Sequence, residues 1–552
     1  MENIKLLSRY YINQQFGGSK GDKKWSTFIH NGVLFPPLYE PHKIPIKYNG
    51  IDVILPPLAE EYATLFARYV DTEYTKSKIF NKNFFKSWKP TLKGIQVPIE
   101  KLELCDFSKI IKFLEMQKDK KKLITSEEKI DLKEEQNKKD EIYKIAVVDD
   151  KEQPVGNYRM EPPGIFMGRG CHPKSGTIKK RIEPKDIILN LSKGATIPKL
   201  PDFYKDQKWK KIIHDNRSEW LAAWKDTITG KTKYVWLGAK SELKAKSDQE
   251  KFDRARKLVK LIKKIRQTND DNLKSTDLKT TELATSLYFI DKLALRVGNE
   301  KGDDEADTVG VTSLRHEHIV LKPNNIVKLD FLGKDSVRYL NEVEVSEQVY
   351  LNLEKFMKSK SEGDNIFDIN SSDVNEYLKT FHPDLTAKVF RTFNASYLFQ
   401  EELNMITDKY DKYDKSDKLN LLLTMFNKAN AKVAMLCNHQ KNVSKSFNES
   451  LDKINEKIKE YKKNLNELEK DKESNNKKIK KIKEYIKSQK HKKDLKMELK
   501  NISLGTSKTN YIDPRITVAF LKKHNIPVEK IFSSTLREKF FWAFNVDELW
   551  QF

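Results

Sequence analysis

The strongest constraint on this chain lies near its C-terminal end. Phe447, Leu451, Ile454, Ile458, Tyr461, Leu465 and Leu468 follow one another at steps of 4, 3, 4, 3, 4 and 3. That alternation draws one apolar line along a helix, and a line so narrow is covered by a partner helix rather than by a globular core. The polar run Ser474–Asn476 breaks the seam, and Ile479, Ile482 and Ile486 begin a second arm. The pattern predicts an antiparallel helical hairpin over Lys441–Lys500. This stretch carries 20 Lys against 11 Asp and Glu, a net charge of +9. Most of those charges read as the solvated faces of a spacer. A positively charged arm beside a polyanion is the functional alternative.

The hairpin does not account for the charge of the whole. The 552 residues carry a net +24, so +15 remains elsewhere. A chain this basic repels itself unless a polyanion neutralises it, with nucleic acid the first candidate and an anionic membrane the second. The length suits about three or four domains of roughly 150 residues. Several classes fall away. No apolar window is long enough to span a bilayer, and MENIKLLSRYYINQQFGG lacks the apolar region of a secretory signal. Cys105, Cys171 and Cys437 are isolated and offer neither a disulfide framework nor a metal knuckle. The ten histidines show no paired zinc spacing, and neither GxxxxGK[ST] nor GxGxxG occurs. No metal site and no cofactor are expected.

Along the chain, Ala59–Tyr69 has a helical period, and Lys109–Lys144 is charged and helical with a capping box at TSEEK, Thr125–Lys129. Glu161–Gly176, EPPGIFMGRGCHPKSG, is punctuated by Gly and Pro in the manner of a ligand-approaching loop. Trp220, Trp224 and Trp236 flank a hairpin turn, KDTITGKTK. Phe252–Leu295 reads as helix. His318–Lys322 and Val327–Asp335 read as a strand pair joined at Asn324–Asn325, with Gly333 marking a tight turn at a hairpin tip. Ser346–Lys358, Leu385–Leu403 and Leu419–Asn438 read as helices, and Asn501–Phe552 as a small aromatic-rich helical domain.

Phosphodiester chemistry without metal or nucleotide needs a nucleophile, fixed cations around the non-bridging oxygens and an acid for the leaving oxygen. Arginine suits the cations because it stays charged and binds in a bidentate fork. Arg296 closes the apolar run LYFIDKLALR, Lys334 sits in FLGKDS, and Arg391 lies on an apolar helix face. His439 stands where an apolar helix stops, and Tyr511 in the polar string GTSKTNYIDPR, read as a loop. Each has a bland reading: a dipole partner, a solvated turn lysine, a helix cap, a packed tyrosine. No spacing rule links the five, so the residues alone lead to a basic, DNA-binding, phosphate-handling protein.

Longer strings carry more. KNFFKSW (Lys82–Trp88), EPPGIFMGRGCHPKSG, LYFIDKLALRVGNEK, ADTVGVTSLR (Ala306–Arg315), FLGKDSVRY (Phe331–Tyr339), LTAKVFRTFNAS, LCNHQ (Leu436–Gln440) and GTSKTNYIDPRITVAF (Gly505–Phe520) are ordered and dispersed from about Trp25 to Phe552. Together they resemble the eukaryotic DNA topoisomerase I family, the type IB enzymes. The resemblance implies that Arg296, Lys334, Arg391, His439 and Tyr511 are the catalytic set, with Tyr511 forming a 3′-phosphotyrosine and Lys334 acting as general acid. It implies DNA contacts at Arg169, Trp220, Lys233, Tyr234, Lys251, Lys301, Thr308, Asp335, Lys388, Thr506 and Asn510. Arg169, Asp335 and Asn510 would line the pocket that camptothecin-type poisons enter in the family.

The fold so implied is α+β: a multidomain bilobed DNA clamp with a strand-containing N-terminal lobe, a mainly helical catalytic lobe and an antiparallel coiled-coil linker. Its expected divisions are an N-terminal DNA-binding lobe at 1–238 (cap, subdomains I and II), a catalytic core at 239–439, a hairpin linker at 440–500 and a C-terminal domain at 501–552. The implied partner is supercoiled double-stranded DNA, bound by a nuclear monomer. The matching region begins near Trp25, so the long charged tail of animal relatives is expected to be almost absent, leaving Lys118–Lys122 or Lys477–Lys493 to serve nuclear targeting. Met167 and Cys171 stand where relatives often carry Arg and Asn. A site-specific tyrosine recombinase uses the same residue logic, but the hairpin between His439 and Tyr511 and the N-terminal resemblance argue against it. A non-catalytic DNA clamp is the other alternative, which the presence of all five candidates disfavours.

Overall fold

The computed structural model describes residues 22–552 apart from 300, 303–304, 408–414, 442, 444–445 and 471. The N-terminal string read for a secretory signal lies outside the described residues. The chain is α+β and divides into two compact units, Met1–Lys246 with Lys301–Asp307, and Ser247–Glu300 with Thr308–Phe552. Among the described residues no helix is long and apolar enough to cross a membrane.

Small sheets and aromatic clusters build the first unit. Phe66, Phe80, Phe84, Trp88 and Phe107 form one core, with Phe66 stacked on Phe84 at 4.1 Å between ring centres. A second core, including Trp25, Phe28, Leu221 and Val235, lies about a four-stranded sheet ordered Lys211–Ile213, Ile188–Asn190, Trp220–Lys225, Thr232–Trp236. The charged stretch forms two helices, Ser108–Leu123 and Ser126–Lys144. Its capping box is closed reciprocally: the Glu128 amide donates to Thr125 Oγ1 at 3.1 Å, and the Thr125 amide to Glu128 Oε2 at 2.8 Å. The predicted turn after Trp220–Lys225 is held by Asp226, whose carboxylate accepts the amides of Ile228 at 3.0 Å and Thr229 at 2.7 Å.

The second unit has two cores. One packs the helix Glu242–Asn272, from Ser247 on, and the helix Leu278–Lys292 against the three-stranded meander Ile319–Lys322, Ile326–Gly333, Val337–Glu344. The helix expected to run unbroken through Phe252–Leu295 is therefore interrupted. Asp277 caps the second segment by accepting from the Thr280 amide at 2.8 Å, a local competition with the helix that Asp offers readily. The turn at Asn324–Asn325 is present, with φ of 64° and 55°. At the next turn, Asp335 and Ser336 carry the positive φ, 68° and 57°, whereas Gly333 sits at −87°. The hairpin tip is real, but glycine is not what makes it.

The other core joins Phe399 and Phe426, on the helices Ala387–Thr407 and Lys415–Leu436, to Ile512, Phe520, Phe532 and Phe540. The C-terminal segment thus closes a core that those helices leave open. The helices Phe447–Leu468 and Lys472–Glu498 pair antiparallel, with Tyr461 stacked on Tyr485 at 5.6 Å and Lys483 bridged to Glu469 at 2.8 Å. The turn falls at Glu469–Lys470, earlier than Ser474–Asn476, which lie inside the second helix. Ser and Asn lower helix propensity by only tenths of a kcal/mol, roughly, and tertiary pairing overrides that.

Candidate active site

Four of the five catalytic candidates meet at one cavity of about 150 Å³ in the second unit, lined by Arg296, Lys334, Asp335, Arg391, His439 and Thr506 among others. They arrive from elements far apart in sequence, so the local architecture that brings each one in matters.

Arg296 follows the helix Leu278–Lys292 on a segment without regular secondary structure. Its carbonyl accepts from the Val311 amide at 2.9 Å, and that of Val297 from the Thr312 amide at 2.7 Å. This backbone crossing is too close for side chains. A Cβ at Gly310 would lie 2.5 Å from the Gly298 Cα and 2.7 Å from the Arg296 carbonyl oxygen, and Gly298 has φ of 90°. Two glycines are therefore required to hold Arg296 where it is.

Arg391 is buried on the helix Ala387–Thr407. Nη1 donates to the Ala294 carbonyl at 2.5 Å and Nη2 to the Cys437 carbonyl. Ala294 and Cys437 each lie two residues before another candidate, Arg296 and His439. The guanidinium fork thus clips together the two chain segments that deliver its partners. Its Nε has no hydrogen-bond partner among the described residues.

His439 lies just past the helix Lys415–Leu436, after Asn438 turns the chain at φ of 51°. It is 7% exposed. Burial, followed by the guanidiniums of Arg391 and Arg296, pushes its imidazole from 6.5 down to about 3, so the ring is neutral at physiological pH. Nδ1 is 2.7 Å from the Ser507 hydroxyl, while Nε2 is buried without a partner among the described residues.

Tyr511 ends the helix Leu504–Asn510. The sequence suggested a loop here. The helix begins where the Ser503 amide donates to the His439 carbonyl at 2.8 Å, so its start is tied to the site. The Tyr511 ring lies 5.2 Å from the His439 ring, centre to centre, and 5.1 Å from the Arg391 guanidinium carbon. Asp513 is fully buried, caps the next helix by accepting the Arg515 amide at 2.9 Å, and pairs with the Arg515 guanidinium at 2.7 Å. Those bonds occupy it in shaping the segment.

The remaining candidates are dispersed. Lys251 Nζ approaches the Asn510 carbonyl oxygen at 3.3 Å and Asp248 at 2.7 Å, and burial lowers its ammonium pKa. Lys388 and Asn510 are exposed and Thr308 is half-buried. Arg169, Trp220, Lys233, Tyr234 and Lys301 belong to the first unit. Arg169 is exposed between the positive-φ glycines Gly168 and Gly170. Trp220 is a core residue, 2% exposed, packed with Ile188, Ala223 and Tyr234. Lys233 pairs with Asp226 at 3.0 Å. Burial opposes the Asp226 charge, yet the Thr229 and Lys233 hydrogen bonds bring its carboxyl down to about 2. Lys301 pairs with Asp307 at 2.9 Å.

Sequence reasoning missed Ser507 and the carbonyls of Ala294 and Cys437. The carbonyls leave no trace in side-chain identity. Ser507 precedes Tyr511 by four residues, one helical turn, a usable signal had the segment been read as helix.

Exposed Arg296 and Lys334 and buried Arg391 surround one cavity beside a tyrosine, a charge arrangement suited to a phosphate, and comparison with known proteins gives the chain a family. The profile described as the DNA binding fragment of eukaryotic DNA topoisomerase I matches residues 23–237, that of its catalytic core 240–472, and that of the C-terminal topoisomerase domain 483–552. The chain is 44% identical to DNA topoisomerase 1 alpha of Arabidopsis thaliana over 99% of its own length and 61% of that protein's. It is 44% identical to DNA topoisomerase 1 of Caenorhabditis elegans, covering 95% of this chain and 67% of that one. For DNA topoisomerase 1 of Candidozyma auris the identity is 39%, over 99% and 85%. The chain belongs to the eukaryotic DNA topoisomerase I family.

Proposed function

We propose that this protein is a type IB DNA topoisomerase, relaxing supercoils through a transient single-strand break without ATP or metal. The observation that carries the reading is the convergence of Arg296, Lys334, Arg391 and His439 on one cavity, with the Tyr511 ring against two of them. In this reading the Tyr511 oxygen attacks a backbone phosphorus and the 5′-oxygen leaves, giving a 3′-phosphotyrosine. Arg296 and Arg391 offset negative charge on the non-bridging oxygens, and His439 donates a hydrogen bond there. Lys334, exposed at its turn, protonates the departing oxygen. The free 5′-end rotates and then attacks the phosphotyrosine, which has kept the energy of the broken bond.

DNA contacts would come from the sequence-predicted cations, of which Lys388, Arg169 and Lys301 are exposed, and from Asn510 and Thr506 beside the nucleophile. We further infer a two-lobed clamp divided near 238, with core, linker and C-terminal segments bounded near 439 and 500, acting as a monomer in the nucleus. Asp335 and Asn510 would contribute to the site that a camptothecin-type poison enters. The test is relaxation of negatively supercoiled plasmid in EDTA without ATP. Full relaxation with no preferred target sequence supports the reading. Cleavage confined to defined sites would favour a recombinase, and binding without relaxation a clamp.

A further inference from the structure

Ser507 is fully buried and holds both halves of the site. Its carbonyl accepts the amides of Tyr511 at 2.9 Å and Ile512 at 3.0 Å, while its hydroxyl oxygen lies 2.7 Å from His439 Nδ1. A helical serine ordinarily satisfies its hydroxyl on the carbonyl four residues back. Here, among the described residues, the imidazole is its partner.

We propose that Ser507 is a positioning residue whose hydroxyl donates to His439 Nδ1, fixing the ring in the neutral tautomer that carries its proton on Nε2. The proposal rests on the reading of His439 as a hydrogen-bond donor to the phosphoryl group. Its logic is one of proton inventory. A neutral imidazole has one N–H. If Nδ1 held it, Nε2 would present a lone pair to an anionic oxygen and repel it. With the serine proton on Nδ1, the Nε2 proton is free for the substrate. Protonating both nitrogens is opposed by the surroundings. Arg296, Arg391 and, at the turn, Lys334 supply positive charge, Asp335 is the acid of that turn, and the neighbouring Cys437 thiol is pushed up by burial. The orphaned Nε2 is the group such an arrangement leaves for a ligand.

A double-mutant cycle in the full chain tests this. Single-turnover cleavage and DNA affinity are measured for wild type, Ser507→Ala, His439→Ala and the double variant. Ser507→Ala should bind DNA normally and cleave about tenfold more slowly, the order expected for one hydrogen bond. In the His439→Ala background the same change should cost nothing further. An unchanged rate, or an equal loss in both backgrounds, overturns the assignment, because a purely structural serine would cost the same in each. Selective ¹⁵N-histidine labelling gives a readout independent of activity: His439 should show a bare Nδ1 and a protonated Nε2, and the reverse overturns the proposal. If the wild type forms no covalent adduct, the catalytic reading fails while the tautomer still reports on Ser507.

Discussion

Replacing Arg391 by lysine keeps the charge and removes the fork. In the structure two guanidinium nitrogens reach two carbonyls, Ala294 and Cys437, that belong to different chain segments. A lysine ammonium is a point donor on a flexible stem and cannot span both in the same geometry. One buried carbonyl is left unsatisfied, which costs about 1–3 kcal/mol of stability. The catalytic loss should be larger. The released segment carries either Arg296 or His439, so the variant loses the aligned position of a second group as well as its own bidentate hold. Losing one preorganised donor to developing oxyanion charge typically slows chemistry by about 10²–10³. Arg391→Lys should therefore cleave a suicide duplex some 10²–10³ times more slowly in a single turnover, with DNA affinity within about threefold of wild type, because the group is buried rather than a surface phosphate contact. Urea melts should show the stability loss. Wild-type cleavage by Arg391→Lys would refute the clip, and a large loss of affinity with normal cleavage would recast Arg391 as a binding residue.

Lys334→Ala should cut cleavage by about 10²–10⁴ while a duplex with sulfur at the bridging 5′ position largely recovers, since a thiolate leaves without protonation; equal defects on both substrates would reduce Lys334 to a groove contact. Gly310→Ala forces a methyl to 2.5 Å from the Gly298 Cα, an overpacking that should destabilise the second unit by about 1–3 kcal/mol or more; a soluble variant with an unchanged melt would contradict the crossing. Acid should weaken both units. Burial depresses His30 to about 4 and His439 to about 3 from an ordinary 6.5. Below about pH 6.5 the unfolded chain takes up protons that the native state refuses, so each histidine removes up to about 1.4 kcal/mol per pH unit. The stability from these two is fully present above that pH and fades towards the folded values. Denaturant midpoints compared at about pH 7 and pH 5 check this, and His439→Gln should remove the second unit's share; flat midpoints would oppose it.

How far the sequence could be read depended on the range of the interaction. The seam from Phe447 to Leu468 and the box at Thr125–Glu128 are local patterns, and both were legible. The strand Val337–Glu344 was not, because its alternation is broken by an apolar Leu340 on the exposed face and a polar Asn341 on the inner face of an edge strand. The helix Leu504–Asn510 was missed because Gly505, Thr506, Ser507 and Thr509 are weak helix formers, and its start is set by a bond to His439 more than sixty residues earlier in the chain. The site shows the same divide. Candidate residue types were recognisable one by one, and the family strings ordered them. Their convergence depends on Arg391 grasping two carbonyls and on Gly298 crossing Gly310, neither of which has a spacing rule.

The central claim is that Tyr511 is the nucleophile. The most direct measurement traps the protein on a suicide duplex with detergent, digests it and sequences the peptide that carries DNA. The account predicts one DNA-linked peptide containing Tyr511, joined through the 3′-phosphate. It also predicts no adduct at all from Tyr511→Phe, which keeps the ring packed against His439 and removes the attacking oxygen. DNA attached to any other residue, or an adduct that survives Tyr511→Phe, would contradict it.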